Sequence, residues 1–120
     1  MTRARRGTAG KSRRERTNCS VARLDALIEE ATVDAYDESE QTTGFFTMLE
    51  NHLVVPFSTN VLGMAVTVEA IDLTDDEEIV AVCVRGRSRQ PIRLLELPLP
   101  DPPPDGSEWI EAYRRWARRR

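Results

Sequence analysis

The sequence is poor in the side chains that most metal centres and active sites require. Its 120 residues include two cysteines, Cys19 and Cys83, and one histidine, His52, and the cysteines show no CxxC spacing. A zinc site needs a closely spaced set of such ligands, so no zinc site is expected. The sequence is compatible with one disulfide between the two cysteines. The chain also contains no G-x-S-x-G, P-loop or G-x-G-x-x-G motif. These absences predict a protein that is not an enzyme.

Long apolar runs are missing as well. No segment of the sequence approaches the length of a transmembrane helix, and the basic N-terminus lacks the apolar stretch of a signal peptide. We therefore predict a cytoplasmic protein that does not insert into a membrane. A length of 120 residues suits one domain with one modest core.

Charge is distributed very unevenly along the chain. Residues 1–18 carry seven basic and one acidic side chains, residues 19–106 carry five basic and seventeen acidic, and residues 107–120 carry five basic and two acidic. We interpret residues 1–18 as a disordered basic tail, or alternatively as a contact segment for nucleic acid or an anionic membrane. Residues 19–120 are predicted to form a single domain. Its acidic character repels nucleic acid and attracts cations.

Hydrophobic periodicity predicts an α+β fold. One helix is expected from the Ser20 cap to about Ala31, a second from about Glu38 to Leu53, and a third from Ser107, whose stripe of Trp, Ile and Tyr is interpreted as core. Between them, LGMAVTVEAIDL, EIVAVCVRG and QPIRLLEL alternate as strands, with RGRSRQ as a hairpin loop. The proline-rich PLPDPPPDG is expected to be a strap against the sheet. The whole predicts a small twisted antiparallel sheet, or SH3-like half-barrel, with two N-terminal helices and one C-terminal helix.

Two acidic clusters could attract a hard cation such as calcium, which prefers carboxylate and carbonyl oxygens. The first contains Asp34, Asp37, Glu38 and Glu40; if it is helical, Asp34 and Glu38 share a face. The second is the turn Asp72–Glu78, which includes Asp75 and Asp76. Each has a plainer interpretation: Asp37 and Glu40 have helix-start spacing, and the turn reads as a solvated hairpin tip. Neither has EF-hand spacing, and the sequence does not show whether the clusters meet.

Several stretches, read together, resemble the CcbP-type family of small calcium-binding proteins. They are VDAYDESEQTTGFFTMLENHLVVPF, VLGMAVTVEAIDL, IVAVCVRG, IRLLELPLP and SEWIEAYRRW, and the most distinctive is D-A-Y-x-E-x-E-Q. The resemblance implies calcium binding without an EF-hand, through Asp34, Glu38 and Glu40 of that motif. Asp37 fills its variable position, and Asp75 and Asp76 lie outside any fixed motif.

The sequence therefore predicts a non-EF-hand calcium-binding protein, either a reversible buffer or a sensor, with Ca²⁺ as its ligand. The alternative is a metal-free protein-interaction module that uses its small sheet and the arginine-rich hairpin of Arg85, Arg87, Arg89 and Arg93 to bind a protein partner. Nucleic-acid binding is expected only if the basic tail provides it.

Overall fold

A computed structural model describes residues 20–119, so the predicted basic tail at 1–18 lies outside the described residues. Three α-helices and a four-stranded sheet make up this part of the chain, and the predicted α+β class is confirmed. In chain order the elements are α1 (Val21–Ala31), α2 (Glu38–His52), β1 (Phe57–Val61), β2 (Met64–Leu73), β3 (Ile79–Arg85), β4 (Ser88–Arg93), a 3-10 turn (Leu94–Glu96) and α3 (Ser107–Arg119).

The first two helices form an N-terminal pair in close contact. The Ser20 side chain caps α1 by accepting a hydrogen bond from the backbone N–H of Arg23 at 3.1 Å, as its sequence position predicts. Gly44 lies where α2 faces the end of α1, and a Cβ at this position would overlap the carbonyl oxygen of Ala31. Glycine inside a helix makes helix formation less favourable, but Gly44 permits the backbones of α1 and α2 to approach each other.

The sheet is an open antiparallel meander in the order β1-β2-β3-β4. Its β1–β2 and β3–β4 hairpins turn at one end, while the β2–β3 turn lies at the other. A bulge interrupts the β2–β3 pairing between Val68 and Ala70, and such bulges increase the local twist. Within the described residues β1 and β4 are the two edges, so SH3-like closure is not confirmed.

The strand prediction was wrong in three places. QPIRLLEL was expected to be a strand throughout, yet β4 ends at Arg93 and Leu94–Glu96 form the 3-10 turn. Alternation was expected only from Val61, yet β1 begins at Phe57. RGRSRQ was expected to be a hairpin loop, but β4 begins at Ser88 and only Gly86 and Arg87 separate it from β3. Pro91 lies in this edge strand, where its missing N–H costs no ladder hydrogen bond.

The core lies where all three helices meet the sheet. Phe45 of α2 is fully buried, and its ring centroid lies 5.7 Å from that of Tyr113 and 5.1 Å from that of Trp116. These separations are typical of favourable aromatic pairs. Trp109 and Ile110 of α3 are also buried, so the prediction that the stripe of α3 is core is confirmed.

The proline-rich strap is fixed against the rest of the fold by polar contacts. The Thr59 hydroxyl on β1 donates a 2.7 Å hydrogen bond to the carbonyl of Pro98, which confirms that the strap packs on its own sheet. Arg114 of α3 donates to the carbonyl of Leu94 at 2.9 Å and also to that of Leu97. These bonds hold the start of the strap between β1 and α3. No helix within residues 20–119 is long and apolar enough to cross a membrane.

Candidate functional site

The first acidic cluster lies in the connection between α1 and α2, and it is not helical throughout. Asp34 has a positive φ of 62°, and α2 begins only at Glu38. The condition for Asp34 and Glu38 to share one helix face is therefore not met, because the chain turns between them. Both side chains are nevertheless exposed at the same corner of the fold.

Asp37 and Glu40 form a capping box at the start of α2. The Oδ1 atom of Asp37 accepts from the backbone N–H of Glu40 at 2.8 Å, and the Oε1 atom of Glu40 accepts from the N–H of Tyr36 at 2.7 Å and of Asp37 at 3.3 Å. The helix-start alternative for this spacing is confirmed. One oxygen of each carboxylate is thus directed at the backbone, and the helix dipole stabilises both charges.

The second acidic cluster is a tightly hydrogen-bonded turn between β2 and β3. Thr74 organises it: its N–H donates to the carbonyl of Glu78, its carbonyl accepts from the N–H of Glu77, and its hydroxyl accepts from the N–H of Glu78 at 3.1 Å. Glu77 has a positive φ of 63° within this turn. Asp75, Asp76 and Glu77 are exposed, so the turn presents three carboxylates to solvent.

A side-chain hydrogen bond joins the two clusters. The Ser39 hydroxyl, in the first turn of α2, donates to Oε2 of Glu77 at 2.8 Å. The sequence left open whether the fold brings the clusters together, and this contact shows that it does. We call the combined surface, formed by residues 34–40 and 74–77, the acidic face. Ser39 carried no sequence signal for this role, since its partner lies 38 positions along the chain.

The acidic face does not contain a preassembled cation site. Among residues 20–119, no group of three or more His, Cys, Asp or Glu side chains is arranged to hold a metal ion. The chemistry of the donors fits calcium, because they are exposed carboxylates next to backbone carbonyls. The predicted ligands do not converge on one point. They are spread over the acidic face, and they are Asp34, Asp37, Glu38, Glu40, Asp75 and Asp76.

Glu78 belongs to the same turn but its charge is already paired. Arg93 of β4 contacts it at 3.2 Å and also contacts Glu96 at 3.2 Å. The hydrogen bond with Glu78 raises the pKa of the Arg93 guanidinium further above its ordinary value. A paired carboxylate contributes little to the attraction of a second cation, so we place Glu78 outside the acidic face.

The thiol of Cys83 and the imidazole of His52 lie outside the acidic face. Cys83 is a free thiol on β3 and is buried, and this burial raises its pKa. His52 stacks on Trp109 with ring centroids 5.4 Å apart. Cys19 lies outside the described residues. Neither Cys83 nor His52 contributes to the acidic face.

A comparison with known protein families gives a match over most of the chain. A family model described as calcium binding, of the CcbP type, matches residues 25–117. The chain belongs to the CcbP-type calcium-binding family. The match begins within α1 and ends within α3, so it includes both acidic clusters and the whole sheet.

Membership of the CcbP-type family supports a calcium-binding role for this chain. No curated protein and no solved structure matches the sequence. The family assignment therefore supports calcium as the ion and gives no positions for its ligands.

Proposed function

We propose that this protein binds calcium reversibly at the acidic face and acts as a buffer or a sensor rather than as an enzyme. The hydrogen bond between Ser39 and Glu77 carries the proposal, because it brings together two acidic clusters that are remote in sequence. Side chains and backbone carbonyls of both clusters would then supply oxygen ligands to the same ion. A cytoplasmic location stays a prediction from the sequence.

Electrostatics favours a cation at this surface. Asp34, Glu38, Asp75, Asp76 and Glu77 are all exposed, and like charges close together repel one another unless a cation relieves them. Calcium accepts six to eight oxygen ligands in a flexible shell, so it tolerates carboxylates contributed by two segments. Magnesium requires near-ideal octahedral geometry, which an adaptable surface provides less well.

Both segments are shorter than an EF-hand loop. Residues 32–37 connect α1 to α2, and residues 74–78 connect β2 to β3, whereas the EF-hand loop has 12 residues with a Gly at its sixth position. These lengths support a site of another type, in which each segment gives only part of the shell.

The incomplete convergence of the ligands predicts modest affinity. Side chains must reorient when the ion binds, and the Oε2 atom of Glu77 already accepts a hydrogen bond from Ser39. Ordering of exposed side chains opposes binding. We therefore expect a dissociation constant on the order of micromolar to millimolar, within the range of sensor and extracellular calcium sites.

Thermal unfolding of the full chain provides the test. Calcium at about 100 times its dissociation constant stabilises a folded state by about 2.7 kcal/mol, which for a domain of this size raises Tm by roughly 10 °C or more. Magnesium should give a smaller increase, and chelator should remove the effect. Glu77→Gln keeps an acceptor for Ser39 and removes one charge, so it should weaken the calcium shift while leaving Tm in chelator nearly unchanged.

Glu50→Gln is the matched control, since Glu50 is an exposed glutamate near the opposite end of α2. It should retain the full calcium shift. Equal loss in both variants would show a general charge effect, and an unchanged shift in Glu77→Gln and Glu38→Gln would move the site away from the acidic face.

Buffer and sensor roles differ in how far the response spreads. Amide NMR shifts confined to residues 34–40 and 72–78 would indicate a buffer. Shifts that extend to α3 or to the far end of the sheet would indicate a sensor, because calcium would then change a second surface.

A further inference from the structure

A second surface lies at the end of the sheet opposite the acidic face. The β1–β2 and β3–β4 hairpins meet there around an open groove of about 390 Å³. Val61, Met64, Val66 and Ile92 supply much of its apolar lining, and Arg85 lies at its rim. Val61, Val66 and Ile92 are only partly buried at the margin of the core, so the groove exposes part of their apolar surface to solvent.

The tip of the β1–β2 hairpin exposes apolar side chains beside the groove. Leu62 is 96% exposed and Met64 is 49% exposed. Leu62 also has a positive φ of 52° and precedes Gly63, which has a φ of 79°. Such hairpin positions favour Asn, Asp or Gly. Leucine is therefore unfavourable there both for its backbone conformation and for its contact with water.

The charge around the groove has one sign. Arg85 is exposed, and its guanidinium is oriented by a 3.4 Å hydrogen bond to the carbonyl of Ala65. Arg87 is exposed in the adjoining β3–β4 turn. None of the described residues that line the groove is acidic. The nearby Arg89 is paired with Glu69 at 2.7 Å, so the positive rim is formed by Arg85 and Arg87.

The geometry points to a docking site for an acidic peptide segment of a partner protein, with apolar side chains in the groove and carboxylates on Arg85 and Arg87. Charge complementarity selects this occupant. Residues 1–18 carry a net charge of +6 and would be repelled. A second copy related by two-fold symmetry would set the same arginines against each other. The site does not depend on calcium, and it lies at the opposite end of the sheet from the acidic face.

Peptide titration of the isotope-labelled full chain, in chelator, tests this assignment. The probe is a short synthetic peptide that alternates glutamate with leucine; the comparison peptides replace glutamate with lysine, or leucine with serine. We expect only the first to bind, with amide shifts concentrated in residues 61–66 and 83–92. The double variant Arg85→Glu, Arg87→Glu should weaken binding by about tenfold or more.

Two further variants separate the apolar and charged contributions. Leu62→Ser is at an exposed turn and should fold normally while binding the acidic peptide several-fold more weakly. Arg118→Glu makes the charge change of one of the two arginine substitutions at an exposed position on α3, and it should bind as the unmodified chain does, whereas Arg85→Glu alone should bind more weakly.

Several results would overturn the assignment: no binding of the acidic peptide, equal binding in the double arginine variant, or shifts centred on the acidic face. Binding only to vesicles that contain phosphatidylserine would replace the peptide with a membrane surface. A concentration-dependent dimer that Leu62→Ser abolishes would replace it with a second copy.

Discussion

Two effects of opposite sign determine how replacement of Gly44 by alanine changes the stability of the fold. Helix propensity alone favours the change, because alanine is better than glycine in a helix interior by about 1 kcal/mol. Packing opposes it: the new Cβ would lie closer than 3.0 Å to the carbonyl oxygen of Ala31 and 3.2 Å from the carbonyl carbon. These are backbone atoms at the end of α1, so they move only if the helix moves.

Separation of α1 from α2 would disturb the fully buried Phe45, which directly follows Gly44. Overpacking of this kind costs about 1–3 kcal/mol. The overlap is with backbone atoms, so the upper part of this range applies, and after subtraction of the propensity gain we expect Gly44→Ala to destabilise the fold by about 1–2 kcal/mol. For a domain of this size, Tm should fall by roughly 5–15 °C.

Thermal and urea unfolding followed by circular dichroism measure this change. Thr47→Ala is the control on the same helix, because Thr47 is exposed and the substitution should alter stability by no more than about 0.5 kcal/mol. If Gly44→Ala were as stable as the unmodified chain or more so, α1 and α2 would not be in the close contact described here, and the corner that carries Asp34 and Asp37 would be placed differently.

Two further predictions concern the attachment of α3. Asp25 accepts hydrogen bonds from Arg115 at 2.9 Å and Arg119 at 3.1 Å, and chiefly the Arg115 bond lowers its pKa below the ordinary 3.8. The ionised Asp25 carboxylate therefore stabilises the fold fully above the ordinary pKa, and this stabilisation is lost as the pH falls through the lowered value. Asp25→Asn should be less stable than the unmodified chain at pH 7 and similar to it in strong acid. Urea unfolding at both pH values measures the difference. Arg114→Met removes the guanidinium that bonds the carbonyls of Leu94 and Leu97, and the carbonyl of Leu94 then keeps only its 3.4 Å bond from the N–H of Leu97. This change should cost about 1–3 kcal/mol. Arg118→Met, at an exposed position, should leave the urea midpoint unchanged, and equal effects in both variants would contradict the role given to Arg114.

Local patterns in the sequence predicted the helices well and the sheet edges poorly. Ser20 and Asp37 predict the starts of their helices, because a capping side chain bonds to a backbone group within three residues of its own position. Strand β1 was missed because its buried position is Thr59, a polar residue whose hydroxyl is satisfied by Pro98 from far along the chain. The first residues of β4 were assigned to a loop, although QPIRLLEL was predicted as a strand, because the start of this edge strand is exposed and polar, as loops are.

In the candidate site too, local features could be predicted from the sequence and long-range contacts could not. The capping roles of Asp37 and Glu40 follow from their spacing alone. The contact between Ser39 and Glu77 depends on how α2 packs beside the β2–β3 turn, which no local pattern encodes. The apolar groove likewise forms where two hairpins meet, and the arginines at its rim were recognised from the sequence without the neighbouring Leu62 and Met64.

The contacts of α3 also determine when this chain can fold. Trp116 donates its indole N–H to Gln41 at 3.0 Å across 75 positions, and Arg115 reaches Asp25 across 90. Phe45 therefore acquires its aromatic neighbours only after the last helix has been synthesised. At about 5–20 residues per second, the ribosome exposes α1, α2 and the sheet for several seconds before α3 can cover them. Folding must then close long loops, which is slow.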